Sequence, residues 1–282
     1  MADWAAFAGF AGVVLGLLLL LARASQSVVQ GGSTVGADTD AADGSASGAG
    51  DSATDTSDST TCAGDPAVGT GGATTDADPL AREAPTFSTG ALLLNVALSQ
   101  GLFGALLLVG AWYAEIPASA LGAGPGDVGA NPLGLGVALG VALYALNEVG
   151  ASAGDRWGLG RSEELRRALA PDTLSGWAVL LFVVLPVIAG FEELLFRGAL
   201  VGALSVGFDA SPWLLAFFSS IAFALGHGAQ GPAGVVVTGV LGFALAAAFV
   251  VTGSLLVVVV AHYLVNALEF VVHEGLGIEW AS

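Results

Sequence analysis

The sequence predicts an all-α, polytopic membrane helical bundle with about seven transmembrane helices and a disordered acidic linker after the first. Three observations carry that reading. Hydrophobic residues make up 55% of the 282 and charged residues only 11%, where soluble domains carry about 25% charge. Mean hydropathy is +0.79. Apolar runs near the ~20 residues that cross a bilayer recur along the chain, and no strand-like alternation interrupts them.

The first run, residues 4–22, ends at Arg23. Ala22-Arg23-Ala24 resembles a signal-peptide cleavage site, but the basic n-region such a peptide needs is missing, so residues 1–24 read as a retained N-terminal transmembrane helix. Residues 25–89 are Gly, Ser, Thr, Ala and Asp with almost no large apolar side chain, and they hold ten of the 24 acids. Such a segment buries too little surface to offset its ordering entropy and is expected to be a disordered linker, a solvated spacer. Residues 90–282 form the helical core. Spans are expected over 90–113 and 132–150, separated by the Pro- and Gly-rich loop 117–132. The polar stretch 152–172 carries Arg156, Arg161, Arg166 and Arg167, four of the seven basic residues, which places it on the cytoplasmic side and the N-terminus outside. Four apolar segments follow, at 173–204, 211–227, 231–252 and 254–273. The first exceeds one plain span, and Pro186 and Gly190 predict a kink within it.

All seven basic residues are arginine, and the formal net charge is −17. That charge excludes nucleic acid as a partner. The acid excess without lysine points to a high-salt organism, a halophilic archaeon, where screening falls to about 3 Å at molar salt. The single cysteine, Cys62, excludes an intramolecular disulfide and a cysteine-based metal site.

Ionisable residues inside a span are costly and mark function by default. Three clusters stand out in the last 110 residues or so. In Phe191-Glu192-Glu193-Leu194-Leu195-Phe196-Arg197-Gly198, Glu193 and Arg197 are four apart and share a helix face, so they pair. Glu192 lies about 100° round the helix with no such partner, and an unpaired buried carboxylate suits a general base. Charged residues sitting at the interface beside a helix break at Gly190 are the plainer explanation. Phe223 and His227 form the second cluster; a lone histidine near a helix end is more often a structural hydrogen bonder. In the third, His262 and Asn266 share a face deep in an apolar segment, where unpaired polar groups cost several kcal/mol. Glu269 and His273 continue that face to the end of the span, where the interface explains them. Counting inward at ~1.5 Å per residue from turns on one membrane side, Glu192, His227, His262 and Asn266 fall within about 12 Å in depth, close enough to line one cavity.

A carboxylate, two imidazoles and an amide can hydrolyse a peptide bond: Glu192 deprotonates a water, His227 holds it, and His262 with Asn266 donate hydrogen bonds to the oxyanion. The same side chains, Glu192, His227 and His262, are alternatively ligands for a divalent zinc ion drawn from three helices, although no HExxH is present.

The order EExxxR (Glu192, Glu193, Arg197), FxxxH (Phe223, His227) and HxxxN (His262, Asn266) resembles the CPBP family, the CAAX prenyl protease and bacteriocin-processing intramembrane proteases also called the Abi family. The likeness covers roughly 173–270. It includes Glu-Glu-Leu-Leu-Phe-Arg-Gly and the Gly-Ser-Leu before the last motif. It implies a membrane endopeptidase acting on membrane-associated proteins or peptides, in CAAX-type or leader-peptide processing. Glu192 would be the base, His227 would orient water, and His262 with Asn266 would stabilise the oxyanion. Glu193, Arg197 and Phe223 would be support. No metal or other cofactor is expected, although the family's names still say metalloprotease. Two other readings compete. One is a non-catalytic scaffold or immunity protein, which need not have kept all four active residues. The other is a proton-coupled transporter, which should show an internal repeat, and no matching halves are seen.

Overall fold

The computed structural model describes residues 1–40, 88–154 and 166–278. Two compact units partition the chain, Met1–Gln30 with Phe87–Ser282, and Gly31–Thr86. Of the second unit the described residues are 31–40, which are helical. The described residues are helical with no strand among them.

Among the described residues there are seven apolar helices: α1 (Trp4–Asp40, apolar over Trp4–Ala24), α2 (Thr89–Tyr113), α3 (Ala130–Gly154), α4 (Leu174–Phe208), α5 (Pro212–Gly226), α6 (Gly231–Thr252) and α7 (Leu255–Gly275). Six are long and apolar enough to cross a membrane, and α5 is the short one. This is a multi-pass integral membrane protein. The expected linker 25–89 falls mostly outside the described residues, as do Cys62, Arg82, Arg156 and Arg161. Within it, α1 continues as helix to Asp40 rather than stopping near residue 24. Extending an existing helix adds one hydrogen bond per residue without a new nucleus.

Local chemistry sets the helix ends. The Ser88, Thr173 and Ser254 hydroxyls accept from the backbone N–H groups of Ala91, Gly176 and Val257 and so start α2, α4 and α7. Gly253, at φ 69°, ends α6 in the left-handed region that glycine adopts without strain.

Contacts at the two ends of the bundle agree with helices that alternate in direction. At one end Asp3 N–H donates to Ala114 O (2.8 Å), Leu255 N–H to Gly122 O (2.8 Å) and the Ser254 hydroxyl to Asp127 O (2.6 Å). At the other, Arg166 Nε donates to Glu274 Oε1 (2.9 Å). α5 breaks the pattern of full crossings. Its 15 residues rise only ~22 Å against a hydrocarbon core of ~30 Å, so it is shorter than a full crossing and stops at His227.

α4 runs through the centre and contributes to all three apolar cores. Phe191, Leu194, Leu195 and Phe196 pack with α1, α2 and Phe223. Val201 packs with α5, α6 and α7, and Leu180, Val184 and Leu185 with α2 and α7. Residues 191–199 are buried on every side. The kink expected at Pro186 and Gly190 takes another form. The helix stays continuous, but π-helical winding occupies Leu180–Val184 and Leu194–Ala203, on either side of the Glu192-Glu193 pair. Proline's missing N–H removes a bond to the preceding turn, and wider winding there absorbs the loss.

α3 reaches α7 through glycine. A Cβ at Gly136 would lie 2.8 Å from Val257 O, and one at Gly140 would lie 2.9 Å from Ala261 O. Two glycines four apart let the backbones approach closely, as in small-xxx-small membrane packing. The contact falls on the turn just before His262 and holds that histidine's backbone against a fixed neighbour.

Candidate active site

Glu192, Glu193 and Arg197 come from α4, Phe223 and His227 from the end of α5, and His262 and Asn266 from α7. Glu193 is 0% exposed, Arg197 1% and His262 3%. A buried guanidinium is tolerable only when it is paired. Arg197 Nη1 donates to Glu193 Oε1 at 2.7 Å, Nη2 donates to Gly242 O at 2.8 Å, and the guanidinium carbon sits 4.7 Å above the Phe223 ring. Gly242 must lack a side chain here, because a Cβ would meet Phe223 Cδ1 at 2.9 Å.

The Glu193–Arg197 pair expected from i,i+4 spacing is therefore present, and Glu193 does more. Its Oε1 also accepts from His262 Nδ1 at 2.7 Å. That bond fixes the proton on Nδ1 and turns Nε2 toward Glu192, whose Oε2 lies 3.7 Å away. Both Glu192 Oε2 and Glu193 Oε2 are buried without a hydrogen-bond partner among the described residues.

His227 sits where α5 breaks. Its Nδ1 is 2.8 Å from Phe223 O, and since a carbonyl only accepts, Nδ1 donates and Nε2 carries the lone pair. Phe223 joins the site together. Its ring centroid is 4.5 Å from that of His227 and 5.9 Å from that of His262, and Phe196 meets it edge-on at 5.0 Å.

Glu192 and His227 line one cavity of about 360 Å³, within the range of small-ligand pockets. Phe196 and Phe223 also line it, together with Ser99, Gln100 and Phe103 of α2 and Leu18, Leu21 and Ala22 of α1. His262 and Asn266 are not among its lining residues. His262 reaches it only through the 3.7 Å approach to Glu192. Asn266 lies one turn further along α7, half-buried, with no side-chain hydrogen bond among the described residues. The sequence reading missed the cavity's α1 and α2 walls. A usable signal existed, since Ser99 and Gln100 interrupt an otherwise apolar span.

The zinc alternative fits poorly. Among the described residues, the one trio of His, Asp or Glu whose ligand atoms all lie within 4.8 Å of one another is Glu148, Glu269 and His273, not Glu192, His227 and His262. That other trio lies at the end of the bundle, tied by His273 Nε2 to Glu148 (2.9 Å), Arg166 Nη1 to Glu269 (3.2 Å) and Asn147 Nδ2 to the second oxygen of Glu269.

Residues 174–268 match the family model described as Rce1-like, Type II CAAX prenyl endopeptidase Rce1-like. Neither a curated protein nor a solved structure matches the chain. The matched segment holds Glu192, Glu193, Arg197, Phe223, His227, His262 and Asn266, while α1, α2 and α3 lie outside it. Over that segment the chain is similar to the CAAX-type intramembrane endopeptidases of the CPBP family.

Proposed function

We propose that the protein hydrolyses peptide bonds of membrane-associated proteins or peptides by a water that Glu192 activates, with no acyl-enzyme and no required metal. The observation that carries this reading is the pairing of an unpartnered Glu192 oxygen with His227 in one cavity inside the membrane. A water in that cavity hydrogen-bonds to Glu192 and donates to His227 Nε2. Its oxygen attacks the substrate carbonyl while Glu192 takes a proton. The C–N bond then breaks, and the same proton passes from Glu192 to the leaving amine.

The oxyanion needs donors. With Nδ1 held by Glu193 Oε1, His262 turns Nε2 toward the Glu192 side of the cavity, where it can serve the oxyanion. Glu193 orients the imidazole, as a triad carboxylate does. Asn266, whose amide makes no bond in the resting site, turns in to add the second donor.

The test is cleavage of a prenylated fluorogenic peptide ending in a CAAX sequence by the full-length protein in proteoliposomes. Glu192→Gln and His227→Ala are expected to lose about a hundredfold to ten-thousandfold in kcat, with chelator leaving the wild type unaffected. Wild-type turnover by either variant, or activity abolished by chelator and restored by zinc, would overturn the mechanism.

A further inference from the structure

α2 lies outside the segment that matches the family, yet it forms one wall of the cavity. Its Gln100 lines that cavity, and the side-chain oxygen is buried with no partner. No hydrogen bond of the Gln100 side chain exists among the described residues. An amide left unsatisfied within a membrane helix costs several kcal/mol unless something binds to it. A span that needed only to pack would carry an apolar residue there. Ser99 beside it is different, because its hydroxyl is spent on Val96 O at 3.1 Å.

The position of Gln100 relative to Glu192 follows from the helix packing. A Cβ at Gly101 would sit 3.8 Å from the Val187 side chain, and one at Gly104 would sit 3.5 Å from Phe191. Both positions advance together, so α2 and α4 run parallel here. Gln100 is therefore level with the turn at Val187, five residues before Glu192, or ~7.5 Å along the helix axis. An extended peptide rises ~3.3 Å per residue, so this depth corresponds to about two residues. A peptide entering a cavity within the bundle must satisfy its own main-chain N–H and C=O groups, and a glutamine amide offers both an acceptor and donors.

We propose that the Gln100 side-chain amide is a substrate-binding group of this cavity, pairing with a main-chain amide of the bound peptide about two residues from the scissile bond. This rests on reading the cavity as a peptide site. Gln100 is thus a recognition residue for backbone rather than for side chain, and it acts on every substrate alike.

The experiment uses the full-length protein in proteoliposomes and a prenylated, fluorogenic CAAX-ended peptide. A matched series replaces one N–H at a time with an ester oxygen, stepping along the chain on both sides of the cut. Gln100→Leu, which suits a membrane helix, is compared with wild type. Cleavage gives KM and kcat; binding of the same peptides to Glu192→Gln and to Glu192→Gln with Gln100→Leu gives Kd without turnover. Loss of one hydrogen bond predicts a weakening of Kd by about threefold to tenfold in Gln100→Leu. One ester, about two residues from the cut, should cost wild type that same factor and cost Gln100→Leu nothing. Kd within twofold of wild type, equal ester costs in both proteins, or no measurable binding at all would overturn the inference. Uncut peptide whose binding still depends on Gln100 would support it and refute the hydrolytic reading instead. Normal cleavage that ignores Gln100→Leu would do the reverse, leaving the cavity water as the amide's partner.

Discussion

Two polar clusters lie within one apolar bundle, and they are built to different ends. At the membrane end, Asn147, Glu148, Arg166, Glu269, His273 and Glu274 join α3, α7 and the stretch before α4 through bonds of 2.5–3.2 Å. Their side chains are 13–20% exposed where ion-paired. In the interior, Glu192, Glu193, Arg197 and His262 are almost fully buried, and two carboxylate oxygens remain unpartnered. Through Glu192 the interior cluster opens onto a cavity. A saturated network rigidifies, whereas a buried network with free acceptors holds polar groups ready for a water and a substrate. Ionisable residues inside a membrane protein are therefore better sorted by what they lack than by how many they are.

The largest expected effect breaks the interior cluster at its centre. Glu193→Ala strands a buried arginine, which costs about 3–5 kcal/mol, and frees His262 Nδ1. Thermal unfolding in detergent should show the loss, and cleavage should fall in whatever fraction remains folded. Glu193→Gln separates the two roles, since it keeps the shape and removes the charge. Stability and turnover should drop together; unchanged turnover would confine Glu193 to holding Arg197.

A smaller effect is expected at Gly242→Ala, where the new methyl group meets the Phe223 ring. Overpacking of that kind costs about 1–3 kcal/mol. Because Phe223 also holds His227 Nδ1, kcat should fall while peptide binding changes little. The membrane-end cluster sharpens the contrast from the other side. Arg166→Gln should cost about 1 kcal/mol or less and leave kcat near wild type. A catalytic defect there as severe as that of Glu193→Gln would erase the distinction between the clusters. The smallest effect should come from removing residues 41–86, which leaves the unit containing the cavity intact and cleavage unchanged.

Much of this was legible in the sequence because lipid imposes simple rules. Each apolar run of the required length became a helix, and Glu193 met Arg197 because four residues return a helix to the same face. The segment 211–227 was read with its end at His227 but counted as a full span, since hydropathy counts apolar residues and does not weigh that the 15-residue helix is shorter than a crossing needs. The bond between Glu193 and His262 joins residues 69 apart, and no local pattern encodes it. The 4.5 Å packing of Phe223 on His227 followed from FxxxH spacing, while the place of Phe223 under Arg197 needed Gly242 on another helix. Asn266 shares a face with His262 as expected, yet one turn along α7 carries it away from the cavity lining. The α2 wall was missed because Ser99 and Gln100 carry no charge and lie far in sequence from the three motifs.

The most direct test of the central claim is made in cells. Peptide termini in membrane and secreted fractions would be compared between cells carrying wild type and cells carrying Glu192→Ala at equal expression. The account predicts new termini that appear only with wild type, clustered in membrane-associated proteins. Identical termini in both, with each protein folded in the membrane, would contradict hydrolysis at Glu192 and move the weight to a non-catalytic scaffold.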